Sequence, residues 1–109
     1  IQPDILLCRA DREIPLSEKR KLAQFCNVKE ENVISALDAS TIYQVPHNLH
    51  CEGLDRQVMK HFGVKPKKEL SLAAWDKIVK RYKQPAGEVT VALVGKYTSI
   101  GDTYKSLTE

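Results

Sequence analysis

Three charged side chains, at the expected ends or flanks of secondary structure, are the first candidates for chemistry. Arg9 directly follows the apolar run Ile5–Cys8, and Asp38 directly follows a second apolar run, Val33–Leu37. Lys21 flanks the apolar stripe of the helix expected between the two runs, and we expect it to reach the same sheet edge as Arg9 and Asp38. Ligands of open α/β sheets bind beyond the carboxyl ends of the strands, so two cations there indicate a phosphate-bearing ligand. The alternatives are that the cations are solvated surface charges, or that Arg9 and Asp38 form a salt bridge with each other.

His47, His50 and Cys51 form a second group, because H-x-x-H-C can converge on one face of a helix. A zinc site usually needs four protein ligands, or three ligands and a water. No fourth candidate lies at a familiar spacing, so we assign no metal ligand. We interpret this part of the chain as packing or subunit contact.

The first half of the chain predicts a strand, a helix and a second strand. An unbroken apolar run such as Ile5–Cys8 is typical of a parallel strand covered on both faces. Ser17 is a favourable N-cap for the helix, whose inward stripe we expect to be Leu22, Phe25 and Cys26. The run Val33–Leu37 then gives a βαβ unit of the usual length. If its strands are parallel, Arg9 and Asp38 emerge at the same edge of the sheet.

The second half predicts two helices, a strand and a further helix. Pro46 should interrupt regular structure, and a helix over Leu54–Phe62 should end at Gly63. After a linker, Ser71 should cap a helix with an apolar stripe made of Leu72, Trp75, Ile78, Val79 and Tyr82. Glu88–Val94 is the strongest strand signal, and Asp102 or Thr103 should open the last helix. A single strand cannot pair its own backbone, so we expect the chain to be an excerpt from a longer protein.

Composition indicates a globular, non-membrane domain. The 109 residues are 42% hydrophobic and 28% charged, and no apolar run approaches the roughly 18 residues needed to span a bilayer. Three irregularly spaced cysteines predict no disulfide framework and favour a reduced, intracellular setting. Arg56–Lys83 carries nine Lys or Arg against two acids. This stretch raises an alternative function, a small basic interaction module that holds RNA or an acidic partner.

Several motifs of nucleotide and amide chemistry are missing from the sequence. No G-x-x-x-x-G-K-[ST] loop is present to cradle phosphates, and no acidic cluster for Mg²⁺ accompanies one. None of the cysteines lies in a glycine-framed turn between a strand and a helix, as a glutaminase nucleophile requires. We therefore assign no catalytic residue to these 109 residues.

Four long segments, in this order and with these spacings, carry a specific resemblance. IQPDILLCRADREIP, EKRKLAQFCNV, STIYQVP and VTVALVGKYTSIGDTYKSL resemble consecutive segments of the bacterial-type CTP synthases. The resemblance implies an α/β fold in three parts. Residues 1–64 would be a parallel-sheet fragment of a P-loop-type amidoligase (synthetase) domain, and residues 65–87 a helical linker between domains. Residues 88–109 would be the first strand and helix of a class I glutamine amidotransferase domain.

The resemblance also implies a reaction and its ligands. This cytoplasmic, homotetrameric family aminates UTP to CTP, using ATP, Mg²⁺ and glutamine, with GTP as allosteric activator and CTP as inhibitor. Arg9 would lie against the ATP adenine, Leu37, Asp38 and Ala39 would read the adenine edge, and Lys21 would contact UTP and CTP. On the glutaminase side, three residues would face the domain junction where GTP acts: Lys96, Tyr97 and Lys105. Residues 42–49 would lie where subunits assemble, and Mg²⁺ would be held mainly by residues outside this segment. Nucleic acid and membrane are not implied.

Overall fold

Two short parallel strands form the sheet, as the apolar runs predicted. A computed structural model describes residues 2–108, with β1 at Leu6–Ala10 and β2 at Val33–Leu37. They pair in parallel from Leu6 with Val33 to Ala10 with Leu37. Pairing with β2 carries β1 further than expected, so Arg9 belongs to the strand and does not follow it. The expectation that β1 is covered on both faces is wrong for the described residues, since Leu7 is 54% exposed.

Helix α1, Leu16–Cys26, connects the strands. Ser17 is not its N-cap. The helix begins at Leu16, so Ser17 lies inside the first turn and Pro15 occupies the N-cap position. The Pro15 carbonyl accepts hydrogen bonds from the N–H groups of Glu18 and Lys19. The prediction that Phe25 belongs to the inward stripe is wrong, because the residue is 89% exposed.

The inward face of α1 lies to one side of Phe25. The partly or fully buried positions of the helix are Lys19, Leu22, Ala23 and Cys26, which follow the i, i+3, i+4, i+7 spacing of one helical face. A lysine therefore occupies a place in the inward stripe that the apolar pattern alone did not reveal. The helix ends with Asn27 in the left-handed region, at φ 51°.

A 3₁₀ turn and two helices follow β2 along the chain. A 3₁₀ turn at Ile42–Gln44 leads into α2, Val45–Cys51, and then α3, Leu54–His61. Pro46 does not interrupt this region: it occupies the first turn of α2, where its missing N–H costs no helical hydrogen bond.

Gly63 ends α3, as the sequence predicted. It adopts φ +64°, its N–H donates to the Lys60 carbonyl, and the Val64 N–H donates to the Met59 carbonyl. These two bonds form a Schellman motif, which satisfies carbonyls that the end of the helix leaves free.

Helix α4, Ala73–Lys83, begins after Leu72 and receives no side-chain cap from Ser71. Its expected apolar stripe is only partly covered, with Trp75 39% and Tyr82 58% exposed. The Trp75 ring lies 6.3 Å from that of Tyr43, centroid to centroid, so α4 packs beside the 3₁₀ turn before α2.

The predicted strand at Glu88–Val94 is wrong: these residues form no regular structure in the described chain. Val89 and Val94 are 89% and 93% exposed. Strand geometry needs a partner for its N–H and C=O groups, and residues 2–108 pair none with this segment. The last helix, α5, spans Lys105–Thr108 and so begins later than predicted. Across the part of the chain that the structure describes, no helix has both the length and the apolarity to cross a membrane.

Glu52, just after α2, connects three elements around the small core. The buried apolar residues of this core are Ile34 and Val33 in β2 and Ala23 in α1. One Glu52 oxygen, Oε2, accepts from the Ser35 N–H in β2 at 2.9 Å. The same oxygen accepts from Lys19 Nζ in α1 at 2.8 Å. The hydrogen bond from Lys19 is the main cause that lowers the pKa of Glu52 from its ordinary value of 4.5; burial opposes it, and Ser35 assists it.

Replacing Gly63 with alanine should destabilise the chain by about 1 kcal/mol, since L residues are disfavoured at positive φ. No atom lies within 4 Å of the added methyl group, so backbone strain alone produces the loss. Gly87→Ala is the matched control, with equally open surroundings and no positive φ. Urea unfolding followed by circular dichroism measures both. Equal effects of the two changes would contradict the αL explanation.

The free energy of unfolding should fall in acid, because Glu52 becomes protonated and loses the charge that holds Lys19. Its folded pKa is lowered, so its contribution is present above the unfolded value and is lost as pH falls through the lower folded value. We expect the free energy of unfolding of the wild-type chain to drop more between pH 6 and about pH 3 than that of Glu52→Gln. Urea titrations at several pH values measure the difference. Parallel pH profiles for the two chains would contradict it.

Candidate functional site

Arg9 and Asp38 meet at the carboxyl edge of the sheet. The Arg9 guanidinium donates to Asp38 Oδ1 at 3.0 Å. Both side chains are open to solvent, Arg9 at 84% and Asp38 at 57% exposure. The structure therefore contains the salt bridge that the sequence left as an alternative. An ion pair this exposed contributes roughly 0–1 kcal/mol, so a ligand can displace or share the guanidinium at little cost.

The backbone holds Asp38 in place and leaves the next residue open. The Asp38 N–H donates to the Ala10 carbonyl at 3.1 Å, which extends the β1–β2 ladder past Leu37. Within residues 2–108, the N–H and C=O of Ala39 take part in no hydrogen bond. A free donor beside a free acceptor is what recognition of a base edge requires.

A groove of about 480 Å³ opens beside this pair. Its walls are mainly aliphatic, with the backbone of the β2 end on one side and α2 on the other. The residues that line it are Leu7, Arg9, Ala36, Leu37, Asp38, Ala39, Thr41, Ile42, Val45, Asn48 and Leu49. Four predicted site residues, Arg9 and the segment 37–39, thus come together.

The α2 wall is a part of the site that the sequence analysis missed. Ile42, Val45 and Leu49 line the groove, although we assigned their segment to packing or subunit contact. Their i, i+3, i+7 spacing was the available signal, since in a continuous helix it would place them on one face; in the structure Ile42 belongs to the 3₁₀ turn and Val45 and Leu49 to α2. Thr41 is buried and caps the 3₁₀ turn, its Oγ1 accepting from the Tyr43 N–H.

Lys21 does not line this groove. It lies on the exposed side of α1, where its Nζ donates to Glu18 Oε1 at 3.0 Å, one turn away. Exposed i, i+3 pairs stabilise a helix by only about 0.2–0.5 kcal/mol, so Lys21 is free to exchange Glu18 for another anion. The expectation that Lys21 shares one rim with Arg9 and Asp38 is therefore wrong for this groove, because Lys21 lies on the solvent side of α1.

The three residues assigned to a domain junction lie near the end of the chain. Lys96 Nζ lies 5.2 Å from the centre of the Tyr97 ring, and Tyr97 adopts a positive φ of 63°. Tyr104 donates from its hydroxyl to the Lys96 carbonyl at 2.7 Å, which closes this turn just before Lys105 begins α5. None of the three lines the groove at Arg9.

The histidines pair with carboxylates. His50 Nδ1 lies 2.9 Å from Asp55 Oδ2, and His47 Nδ1 lies 3.4 Å from Asp76 Oδ1. Among the described residues, no group of three or more His, Cys, Asp or Glu side chains is arranged to hold a metal ion. Cys8, Cys26 and Cys51 are free thiols.

The groove has the chemistry of a site for a flat, polar-edged ring. Aliphatic walls favour burial of the ring faces, and a guanidinium plane can stack on a π system while it stays charged. The N–H and C=O of Ala39, which have no partner among the described residues, are a donor and an acceptor of the kind that a ring edge needs. A purine base meets these requirements.

Comparison with known proteins identifies the family. The family described as "CTP synthase N-terminus" matches residues 1–64. The chain is 60% identical to the CTP synthase of Rhodospirillum centenum and 56% identical to those of Parvibaculum lavamentivorans and Methylobacterium radiotolerans. Each match covers all 109 residues of the chain and about a fifth (20%) of the relative's length. The chain belongs to the CTP synthase family.

Proposed function

We propose that the chain is part of a CTP synthase, a ligase of pyrimidine biosynthesis, and contributes its ATP contact and a UTP/CTP contact. The enzyme converts UTP to CTP with ammonia from glutamine, at the expense of ATP. The observation that carries the proposal is the groove in which Arg9, Asp38 and the open backbone of Ala39 converge. The family match over residues 1–64 supports it, because that range contains the whole groove.

The adenine of ATP lies in the groove. Its face stacks under the Arg9 guanidinium, which Asp38 holds at the rim. Its edge meets the backbone of Leu37, Asp38 and Ala39, so recognition depends on main-chain geometry more than on side chains. Ile42 of the 3₁₀ turn and Val45 of α2 add aliphatic contacts to the other side of the ring.

Lys21 contacts the phosphates of UTP, and of CTP when CTP inhibits. An ammonium group is a compact charge that suits a polyphosphate. Its present partner, Glu18, is an exposed neighbour that a polyphosphate outcompetes.

The chain also connects two domains. We assign residues 1–64 to the synthetase domain, 65–87 to the linker and 88–109 to the start of the glutaminase domain. The end of the family match at residue 64 is consistent with a boundary there. Lys96, Tyr97 and Lys105 then face the domain junction, where GTP activates.

The remaining chemistry belongs to other residues of the enzyme. We assign no catalytic residue to this chain and no Mg²⁺ ligand to its described residues. When bound with ATP, Mg²⁺ neutralises phosphate charge during transfer to the UTP carbonyl oxygen. We place the enzyme in the cytoplasm as a homotetramer that binds neither nucleic acid nor membrane.

The alternative, a basic module that binds RNA or an acidic partner through residues 56–83, has less support. Its basic residues include Lys60, which already pairs with Glu31 at 2.7 Å. Its one tryptophan, Trp75, packs beside Tyr43 and forms no open stacking platform with a second ring of α4.

Arg9→Ala should raise the KM for ATP about tenfold while the KM for UTP stays within twofold, because stacking on the base is worth about 0.5–2 kcal/mol. The host is the Rhodospirillum centenum CTP synthase with this chain in place of its matching 109 residues. Steady-state CTP formation measures both constants.

Arg12→Ala is the matched control for Arg9. Arg12 is equally exposed and its nearest carboxylate, Asp11, lies 3.9 Å away at the surface, outside the groove. It should leave both constants unchanged. Normal ATP kinetics for Arg9→Ala would refute the adenine assignment.

Lys21→Ala should raise the KM for UTP and the CTP concentration that gives half inhibition, both about tenfold or more. A charge-assisted hydrogen bond to phosphate is worth about 1.5–3 kcal/mol. The KM for ATP should stay within twofold. Lys67→Ala, in the exposed stretch between α3 and α4, is the control for the loss of one surface lysine. A loss of UTP affinity without loss of CTP inhibition would contradict a shared contact.

A further inference from the structure

Glu52 binds two elements through a single oxygen atom. Its Oε2 accepts from the Ser35 N–H of β2 at 2.9 Å and from Lys19 Nζ of α1 at 2.8 Å. Glu52 itself follows the last residue of α2, and its own N–H donates to the Asn48 carbonyl in that helix. Three elements that are separate in sequence are therefore fixed to one carboxylate.

The Lys19–Glu52 pair is the most enclosed Lys or Arg ion pair among the described residues. Lys19 is 19% exposed and Glu52 is 36% exposed, whereas the Arg20–Glu30 pair has 65% and 43%. Less solvent screening makes the enclosed pair stronger and more directional. The Lys19–Glu52 pair is therefore expected to stabilise the fold more than an exposed surface ion pair does.

We call the hydrogen bonds from Lys19 and from the Ser35 N–H the two arms of the Glu52 contact. Each arm belongs to an element that also carries a proposed nucleotide contact. Lys19 lies two residues before Lys21 on α1, and the rigid helix transmits any rotation of one to the other. Ser35 lies two residues before Leu37 on β2, and the strand continues into Asp38 and Ala39 at the groove.

We propose that Glu52 is a positioning residue that holds the UTP/CTP contact on α1 and the ATP contact after β2 in fixed relation to each other. This inference rests on the proposed function of Lys21 and of the segment 37–39. Glu52 itself contacts neither nucleotide. It acts through Lys19 on one side and through the Ser35 N–H on the other.

Small rotations of α1 would move Lys21 far enough to affect nucleotide binding. A side chain that ends about 5–6 Å from the axis of a helix moves about 2 Å when the helix rotates by 20°. Displacements of about 1 Å at a reacting group can cost on the order of 100-fold in rate. An inward lysine held by a carboxylate prevents such rotation of α1 more firmly than the small side chain of Ala23 on the same face.

Two substitutions separate the arms. Glu52→Gln retains an amide oxygen for the Ser35 N–H but loses the charge that holds Lys19. It should raise the KM for UTP and the half-inhibiting CTP concentration about three- to tenfold, with the KM for ATP within twofold. Lys19→Met, which keeps the aliphatic stem, should give the same pattern. Glu52→Ala removes both arms and should raise the KM for ATP as well.

The measurements use the full-length host enzyme described above, with its thermal unfolding midpoint recorded for every variant. Glu31→Gln is the control, because it weakens a Lys60–Glu31 pair of 2.7 Å that joins neither α1 nor β2. It should leave all three constants unchanged. If Glu52→Ala does not fold, Glu52→Gln and Lys19→Met still test the inference.

Two failures are distinguishable. If the Glu52 and Lys19 variants lower the unfolding midpoint but retain wild-type KM values and CTP inhibition, Glu52 is a structural residue only and the inference is overturned. Equal increases of both KM values in Glu52→Gln would also overturn the separation into two arms. If Arg9→Ala and Lys21→Ala have normal kinetics, the proposed function itself fails.

Discussion

The parallel pairing of β1 with β2 is the constraint on which the rest of the structure depends. It aligns Ala10 with Leu37, and the hydrogen bond from the Asp38 N–H to the Ala10 carbonyl extends the ladder by one residue. Because parallel strands end at the same edge, residues 29 positions apart meet there as Arg9 and Asp38. A change of register by one residue would turn Arg9 to the other face of the sheet and remove the groove's charged rim.

Two ion pairs of this chain have different physical roles. The Arg9–Asp38 pair is exposed and adds little to stability, so its guanidinium remains available to a ligand. The Lys19–Glu52 pair is more enclosed and also satisfies a strand N–H, so it fixes α1 to β2. The exposed pair can therefore open at little cost, whereas the enclosed pair holds two elements together.

Most of the first part of the fold was predictable from local patterns. The two apolar runs, the helix between them and the glycine cap of α3 follow from period, propensity and backbone sterics, which neighbouring residues determine. The meeting of Arg9 and Asp38 was predictable as well, because the carboxyl ends of parallel strands lie at the same edge of a sheet. By contrast, the strand predicted at Glu88–Val94 is absent because strand formation requires a partner, which no local pattern supplies.

The sequence by itself determined the order of the elements and the chemical types available at the sheet edge. Tertiary structure decided which side of each element those residues occupy. Lys19 faces inward and Phe25 outward, because the sheet and Glu52 select one face of α1 among several with similar apolar content. The α2 wall of the groove likewise exists only because the chain returns across the end of β2. Such contacts depend on packing between residues distant in sequence, and the spacing of residues along one helix cannot specify them.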